Sequence, residues 1–288
     1  MSSSGIDASG SPCIGVVQMV SSQSVDLNLQ RTEALIAEAV SKGAEAVFLP
    51  ENFAALGSSN TRAIAAEEIT GNGPIRTFLA EISARHRCWI FAGTFPVAIR
   101  PDQSTIADGR VRAASFVYDS LGNEVARYDK VHMFDVEVAD NQIKYAESDT
   151  FEPGDHLVVV DSPVGPVGLS VCYDIRFADI YRALFLKGAQ SLAIPSAFTT
   201  VTGEAHFEVL MRARAIENFS YTIAACQGGV HDSGRITHGH SMVVAPWGDV
   251  IARARQGESV LTCRLDPESL TEIRQKIPVA SGFNPSWL

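Results

Sequence analysis

Three short apolar runs in this chain stop abruptly on a residue that turns the backbone or can do chemistry. Val47-Phe-Leu-Pro-Glu51 and Leu192-Ala-Ile-Pro-Ser196 pass from an apolar run through proline into polar residues. Gly168-Leu-Ser-Val-Cys172 ends on a thiol, with a helical segment opening on its far side. Apolar runs of this length that lack polar alternation read as buried strands, of the kind found in sheets covered by helices. Their parallel breaks place the three strand ends on one edge of the sheets. In open α/β folds the carboxyl edge is where ligands bind.

The rest of the chain supports an α/β reading. Ile14 to Met19 is a first buried strand, followed by a helix from about Val25 to Lys42 that Gly43 ends. Pro74 opens a helix whose Ile75, Phe78, Leu79 and Ile82 share one face. Ala113 to Tyr118 and Glu124 to Tyr128 flank a Leu121-Gly-Asn turn and read as a hairpin. From Lys130 to His156 no period is sustained, and a loop of that length in a compact domain tends to be functional or disordered. Beyond it, strands alternate with helices at about Phe177 to Leu184 and Glu204 to Asn218, and a last helix starts near Pro267. Crossovers mixed with hairpins predict mixed sheets with helices on their outer faces. No linker divides the chain, so residues 12–288 are expected to form one domain behind a disordered Ser- and Gly-rich tail, 1–11.

A formal net charge of −10 over 288 residues argues against nucleic acid or an anionic membrane surface as a partner. A small molecule or another protein fits better. No apolar run approaches the roughly 18 residues that span a bilayer, and the N-terminus lacks the basic and apolar regions of a signal peptide. Five cysteines without metal-ligand or CxxC spacing point to a reducing, cytoplasmic setting.

Cys172 alone reads two ways. Free cysteine is among the most buried residue types, but a thiol at the sharp exit of a strand, beside a helix start, is also a nucleophile's position. Glu51, Lys130 and Glu147 read by default as solvated loop residues. His238-Gly-His240 puts two imidazoles on one strand face, but no third ligand lies at metal-site spacing. GxSxG, P-loop and GxGxxG motifs are absent.

Taken together, Phe48-Leu-Pro-Glu51-Asn-Phe53, Tyr128-Asp-Lys130-Val-His132 and Ser170-Val-Cys172-Tyr-Asp-Ile-Arg-Phe177 resemble the three catalytic motifs of the nitrilase superfamily of carbon–nitrogen hydrolases, in the same order. The likeness runs from about Ile14 to the C-terminal helix. Tyr173-Asp174 after the cysteine, where classical nitrilases tend to have Trp-Glu, is similar to the Nit amidase branch. Within that branch His132-Met-Phe-Asp-Val-Glu137, Pro195 to Gly203, Arg212 to Glu217 and Gly239 to Val244 most resemble the deaminated glutathione amidases, with the ω-amidases as sister group. Ala245 departs from the pattern, where aspartate would be expected before the Pro-Trp-Gly turn.

The resemblance implies a four-layer α-β-β-α sandwich of two mixed sheets that pairs through its outer helices, as a homodimer or homotetramer. It also implies Cys172 as nucleophile, Glu51 as general base, Lys130 with the Tyr173 N–H as oxyanion donors, and Glu147 as a second acid. The reaction implied is hydrolysis of a small carboxylate-bearing amide through a thioester, with no metal or organic cofactor. Such a substrate calls for a fixed cation. Arg176, four residues beyond the nucleophile, is the candidate, with Ser196 and Phe198 as further candidate substrate contacts. A catalytically silent interaction protein on the same scaffold is the alternative of another class; four intact motif residues argue against it.

Overall fold

In the computed structural model, which describes residues 10–140 and 143–282, the first half of the chain builds all but one strand of one sheet. Its elements are β1 (Cys13–Gln18), α1 (Val25–Ser41), β2 (Ala46–Phe48), α2 (Thr61–Glu67) and α3 (Pro74–His86). They continue with β3 (Trp89–Phe91), β4 (Phe95–Val97), β5 (Arg112–Tyr118) and β6 (Glu124–Asp129). The segment that shows no period carries a small hairpin, β7 (Asp135–Glu137) with β8 (Lys144–Ala146), and a 3₁₀ turn at Glu147–Asp149.

The second half supplies β9 (Val159–Val160), β10 (Val167–Leu169), α4 (Ala178–Leu186) and β11 (Ser191–Ala193). A continuous helical stretch follows, made of α5 (Thr200–Thr202), a π-helical turn at Gly203–Phe207 and α6 (Glu208–Asn218). It therefore starts four residues earlier than periodicity suggests. The remaining elements are β12 (Tyr221–Ala224), β13 (Gly228–Val230), β14 (Ile236–His238), β15 (Met242–Val244), β16 (Val250–Arg253), β17 (Ser259–Arg264) and α7 (Pro267–Lys276).

Among the described residues the strands form two large mixed sheets. One runs β17-β1-β2-β3-β5-β4, with β6 on the other side of β5; the other runs β16-β15-β12-β11-β10-β9. Alternation along the strands decides what each face packs on. Ile14, Val16, Ala46, Phe48 and Phe91 join a core with Val167, Leu169 and Ala193 of the second sheet and with Ile180, Leu184 and Met211 of α4 and α6. Their neighbours Val17, Val47 and Ile90 turn the other way, onto Ile36 and Ala39 of α1 and Leu79 and Ile82 of α3. The result is the four-layer α-β-β-α sandwich.

The direction of the strands gathers the chemistry. β1, β2 and β3 are parallel, and β6 is antiparallel to β5, which is antiparallel to β3. The ends of β2 and β6 therefore meet at one edge, delivering Glu51 and Lys130. In the second sheet β10, β11 and β12 are parallel, and their carboxyl ends deliver Cys172, Ala197 and Gln227. The two edges are stitched together where Met19 N–H donates to Cys226 O at 3.1 Å and Gly228 N–H to Met19 O at 2.9 Å. Residues 1–9 of the expected tail lie outside the described residues, whereas Ser11 O accepts from Arg264 Nη1 at 2.7 Å. No helix among the described residues is long and apolar enough to cross a membrane.

Candidate active site

The polypeptide leaves β10 by a turn that only a constrained residue occupies. Cys172 sits at φ = 47°, the left-handed region that side-chain-bearing residues rarely adopt and that clusters at functional sites. Its N–H donates to Pro195 O at 2.9 Å, and the 3₁₀ turn Cys172–Arg176 begins at once. The thiol is buried, with the Ala197 N–H and the Glu51 carboxyl as hydrogen-bonding neighbours.

Glu51 reaches the same place from β2. The strand end can pass close to β3 because Gly93, at φ = 56°, carries no Cβ to collide with Pro50 O. Asn52 follows at φ = 54°, its N–H held by Thr94 Oγ1 at 2.9 Å. Gln227, fully buried at the end of β12, donates to Glu51 O at 3.1 Å and to Ser21 Oγ at 2.8 Å. Thus the backbone of Glu51 is fixed from both sheets.

Lys130, only 2% exposed, is the centre of the charge network. Its Nζ lies 2.9 Å from Glu51 Oε1 and 2.8 Å from both oxygens of Glu147. Glu147 Oε2 also accepts the Phe134 N–H at 2.6 Å. Burial opposes the ammonium charge, but Glu147 and then Glu51 outweigh it and hold Lys130 above the usual lysine value. It is a fixed cation, not a free amine. Burial pushes the Glu147 carboxyl up, against the pull of Lys130. Burial first, and the Glu51 charge second, push the Cys172 thiol well above its ordinary range, with Lys130 and the Ala197 N–H offsetting this in part. The Glu51 carboxyl is the acceptor the fold places beside that thiol.

These side chains open on a cavity of about 200 Å³. Glu51, Lys130, Glu147, Cys172, Tyr173 and Phe198 all contribute to its wall, so every residue named for catalysis from the sequence meets there. The default reading of Glu51, Lys130 and Glu147 as solvated loop residues is corrected: the fold buries them against one another. Two expectations about substrate contacts are corrected as well. Ser196 is fully buried beneath the site, its hydroxyl donating to Ile194 O at 2.9 Å. Arg176 does not line the cavity. Its guanidinium lies over the rings of Tyr173 and Phe198, at 5.8 and 5.7 Å, and 3.3 Å from His206 Nδ1.

Several residues of the site carry no spacing signal in the sequence. Arg235 lines the cavity from the segment between β13 and β14. Thr199 and Thr202 line it from the start of the π-interrupted helix, with Thr199 Oγ1 capping the Thr202 N–H at 3.3 Å. Asp174, fully buried, accepts the Val171 N–H and the Tyr128 hydroxyl on one oxygen and the His132 N–H and ring on the other. Asp174 stood in the sequence as a polar residue in an apolar motif and as part of the Tyr173-Asp174 pair that marks the branch, but neither signals its burial. His238 and His240 pack ring against ring at 4.4 Å; no group of three or more metal-capable side chains clusters among the described residues.

Residues 13–275 match the carbon–nitrogen hydrolase family model. A deaminated glutathione amidase of Yersinia enterocolitica is 39% identical over 266 residues, covering 92% of this chain and 91% of its own. An omega-amidase of Xenopus tropicalis is 35% identical over 266 residues, covering 92% of each. Among solved structures, the NitFhit protein of C. elegans superimposes with a TM-score of 0.85 at 34% identity, over 98% of this chain and 67% of that one.

Proposed function

This chain belongs to the carbon–nitrogen hydrolase family, and from that premise we propose that it is an amidase that cleaves deaminated glutathione, a carboxylate-bearing amide, to 2-oxoglutarate and cysteinylglycine through a thioester on Cys172. The observation that carries the reading is the joint grip of Glu51 and Glu147 on Lys130, at 2.9 and 2.8 Å, in the cavity that Cys172 lines.

In the first half-reaction Glu51 takes the proton of Cys172 while the sulfur attacks the amide carbonyl carbon. The carbonyl oxygen becomes an oxyanion, held by Lys130 Nζ and the Tyr173 N–H. Removal of one such donor typically costs about 10²–10³ in kcat. Collapse breaks the C–N bond as Glu51 passes its proton to the departing amine, leaving the acyl group on sulfur. In the second half-reaction Glu51 deprotonates a water that attacks the thioester, and the proton returns to sulfur as the acid leaves. Glu147 holds Lys130 in line throughout, through Nζ on one side and the Phe134 N–H on the other. One carboxyl group thus serves both half-reactions.

Six deaminated glutathione amidases match at 35–40% identity, which favours that substrate. The omega-amidase match at 35% over the same length keeps α-ketoglutaramate as the second reading. Release of 2-oxoglutarate from the two amides, measured side by side with Cys172→Ala as blank, tests both. The proposal requires higher kcat/KM for deaminated glutathione and none in the blank; preference for α-ketoglutaramate transfers the chain to the second reading, and equal traces from mutant and wild type remove the enzymatic one.

The chain is also read as a cytoplasmic protein that associates with copies of itself. Its five free cysteines suit a reducing compartment. Leu186 of α4, Val209 and Ile216 of α6 and the adjacent Trp247 leave apolar surface exposed on the outer helical layer. Sedimentation equilibrium of wild type and Val209→Glu tests this: a monomeric wild type overturns it.

A further inference from the structure

Four charged side chains line the cavity: Glu51, Glu147, Lys130 and Arg235. The first three neutralise one another in part and leave one negative charge in excess, which repels an anionic substrate. Arg235 is the cation not held in that network. It makes no ion pair with a carboxylate among the described residues, and one of its nitrogens, Nη2, donates to Ala197 O at 2.9 Å. Its Nε is buried without a hydrogen-bond partner. Ala197 is the residue whose N–H faces the Cys172 sulfur, so one residue and two hydrogen bonds separate this guanidinium from the reacting atom.

The segment that presents Arg235 is pinned. His231, buried, bonds Ser21 O at 2.8 Å through Nδ1 and Thr237 Oγ1 at 2.8 Å through Nε2, and its N–H donates to Arg235 O at 2.9 Å. The guanidinium lies over the Tyr145 ring at 5.8 Å, which limits its rotamers. A preorganised guanidinium in a cavity wall, paired with no carboxylate among the described residues, suits charge-assisted bonding to a substrate carboxylate.

We propose that Arg235 is the specificity-determining residue of this site, binding a carboxylate of the amide substrate; the inference rests on the amidase reading above. It assigns to Arg235 the recognition that the sequence suggested for Arg176, whose guanidinium is occupied outside the cavity wall.

The test is a cycle that removes charge from either side. Wild type and Arg235→Gln are assayed with deaminated glutathione, with its analogue bearing a glycinamide in place of the terminal carboxylate, and with its analogue esterified at the 2-oxo acid carboxylate. With the doubly charged substrate, Arg235→Gln is expected to lose about 10- to 100-fold in kcat/KM, carried mostly by KM. With the analogue lacking the carboxylate that Arg235 reads, wild type is already slow and the variant differs from it by less than about 3-fold. Equal losses on all three substrates show a structural role through Ala197 and overturn the proposal, as does an unchanged kcat/KM. Wild type inert towards all three refutes the amidase reading instead. If Arg235→Gln melts well below wild type, Arg235→Lys carries the test, with a smaller loss confined to the same substrates.

Discussion

The Tyr128 hydroxyl donates to Asp174 Oδ2 at 2.7 Å, joining the strand that leads to Lys130 to the turn that carries Cys172. Asp174 is a positioning residue: through Val171 and His132 it fixes the distance between the thiol and the ammonium. Each carboxylate oxygen faces one backbone N–H, so the amide of Asp174→Asn meets a fixed donor with its own NH₂ in either orientation. Tyr128→Phe removes one bond and leaves the oxygen its other donor. Asp174→Asn is therefore expected to cost more than Tyr128→Phe, which loses about 1.5–3 kcal/mol of stability, and to lower kcat further. Urea unfolding and steady-state kinetics of the two variants check the order; equal effects would separate Asp174 from the alignment of the site.

A buried thiol raised by burial and by Glu51 behaves differently from a preformed thiolate. Alkylation of Cys172 by iodoacetamide is expected to accelerate about tenfold per pH unit from pH 6 to beyond pH 8.5, because the reactive thiolate fraction grows in that proportion below the pKa. A plateau near neutral pH would mean an ion pair already present at rest. In Glu51→Gln the charge that raises the thiol is gone. Alkylation at pH 7 is then expected to hold or rise while amide turnover falls about 10²–10⁴-fold, the size of a general-base contribution. Parallel loss of both would show Glu51 acting on the thiol by position alone.

The central strands were legible because burial on both faces leaves continuous apolar runs, and Glu51 and Cys172 were legible because each stands at the end of one, whereas Lys130 and Glu147 follow polar strands and were named through the motif resemblance alone. What escaped the sequence lacks a period. β4 contains Pro96 and pairs with β5 alone among the described strands; proline is tolerated there because an edge position needs no donor on its free side. The segment from Lys130 to His156 takes its shape from tertiary bonds, chiefly Glu147 to Lys130 and to Phe134, which no local pattern encodes. Arg176 was singled out by its nearness to the cysteine in sequence, but packing sets the rings of Tyr173 and Phe198 beneath it, while the turn between β13 and β14 presents Arg235 to the cavity.

Several buried thiols are expected to weaken the fold at alkaline pH. Burial raises Cys88 to about 11, and raises Cys172 and Cys226 as well. The folded values lie above the unfolded one of about 8.5, so the native state keeps protons that the unfolded chain gives up. Their contribution is complete below that value and is lost as pH rises towards the folded values. Each of the three is expected to lower unfolding free energy by about 1.4 kcal/mol per pH unit above it. Lys130, also raised, keeps its contribution below about 10.4. Urea titrations at pH 8.0 and 9.5 measure the slope, and Cys88→Ala should make it shallower. A slope unchanged by that substitution would assign the loss to other groups.

Gly203 is where the cavity depends on a missing side chain. A Cβ there would collide with the Cβ and ring of His238, atoms next to the β14 backbone that cannot swing aside. Gly203 opens the π-helical turn, directly after the Thr199–Thr202 cap that lines the cavity, and π-turns of this kind concentrate at functional sites. Gly203→Ala has two routes, to displace β14 or to shift the turn; each costs about 1–3 kcal/mol by overpacking, and the second moves Thr199 and Thr202. His238→Gly removes the opposing side chain, Cβ included. If contact with that side chain is the source of the damage, the double variant Gly203→Ala/His238→Gly recovers stability and KM relative to Gly203→Ala. If the double variant is only the sum of its singles, contact with His238 is not the source of the damage, and measuring the coupling between the two positions distinguishes these outcomes directly.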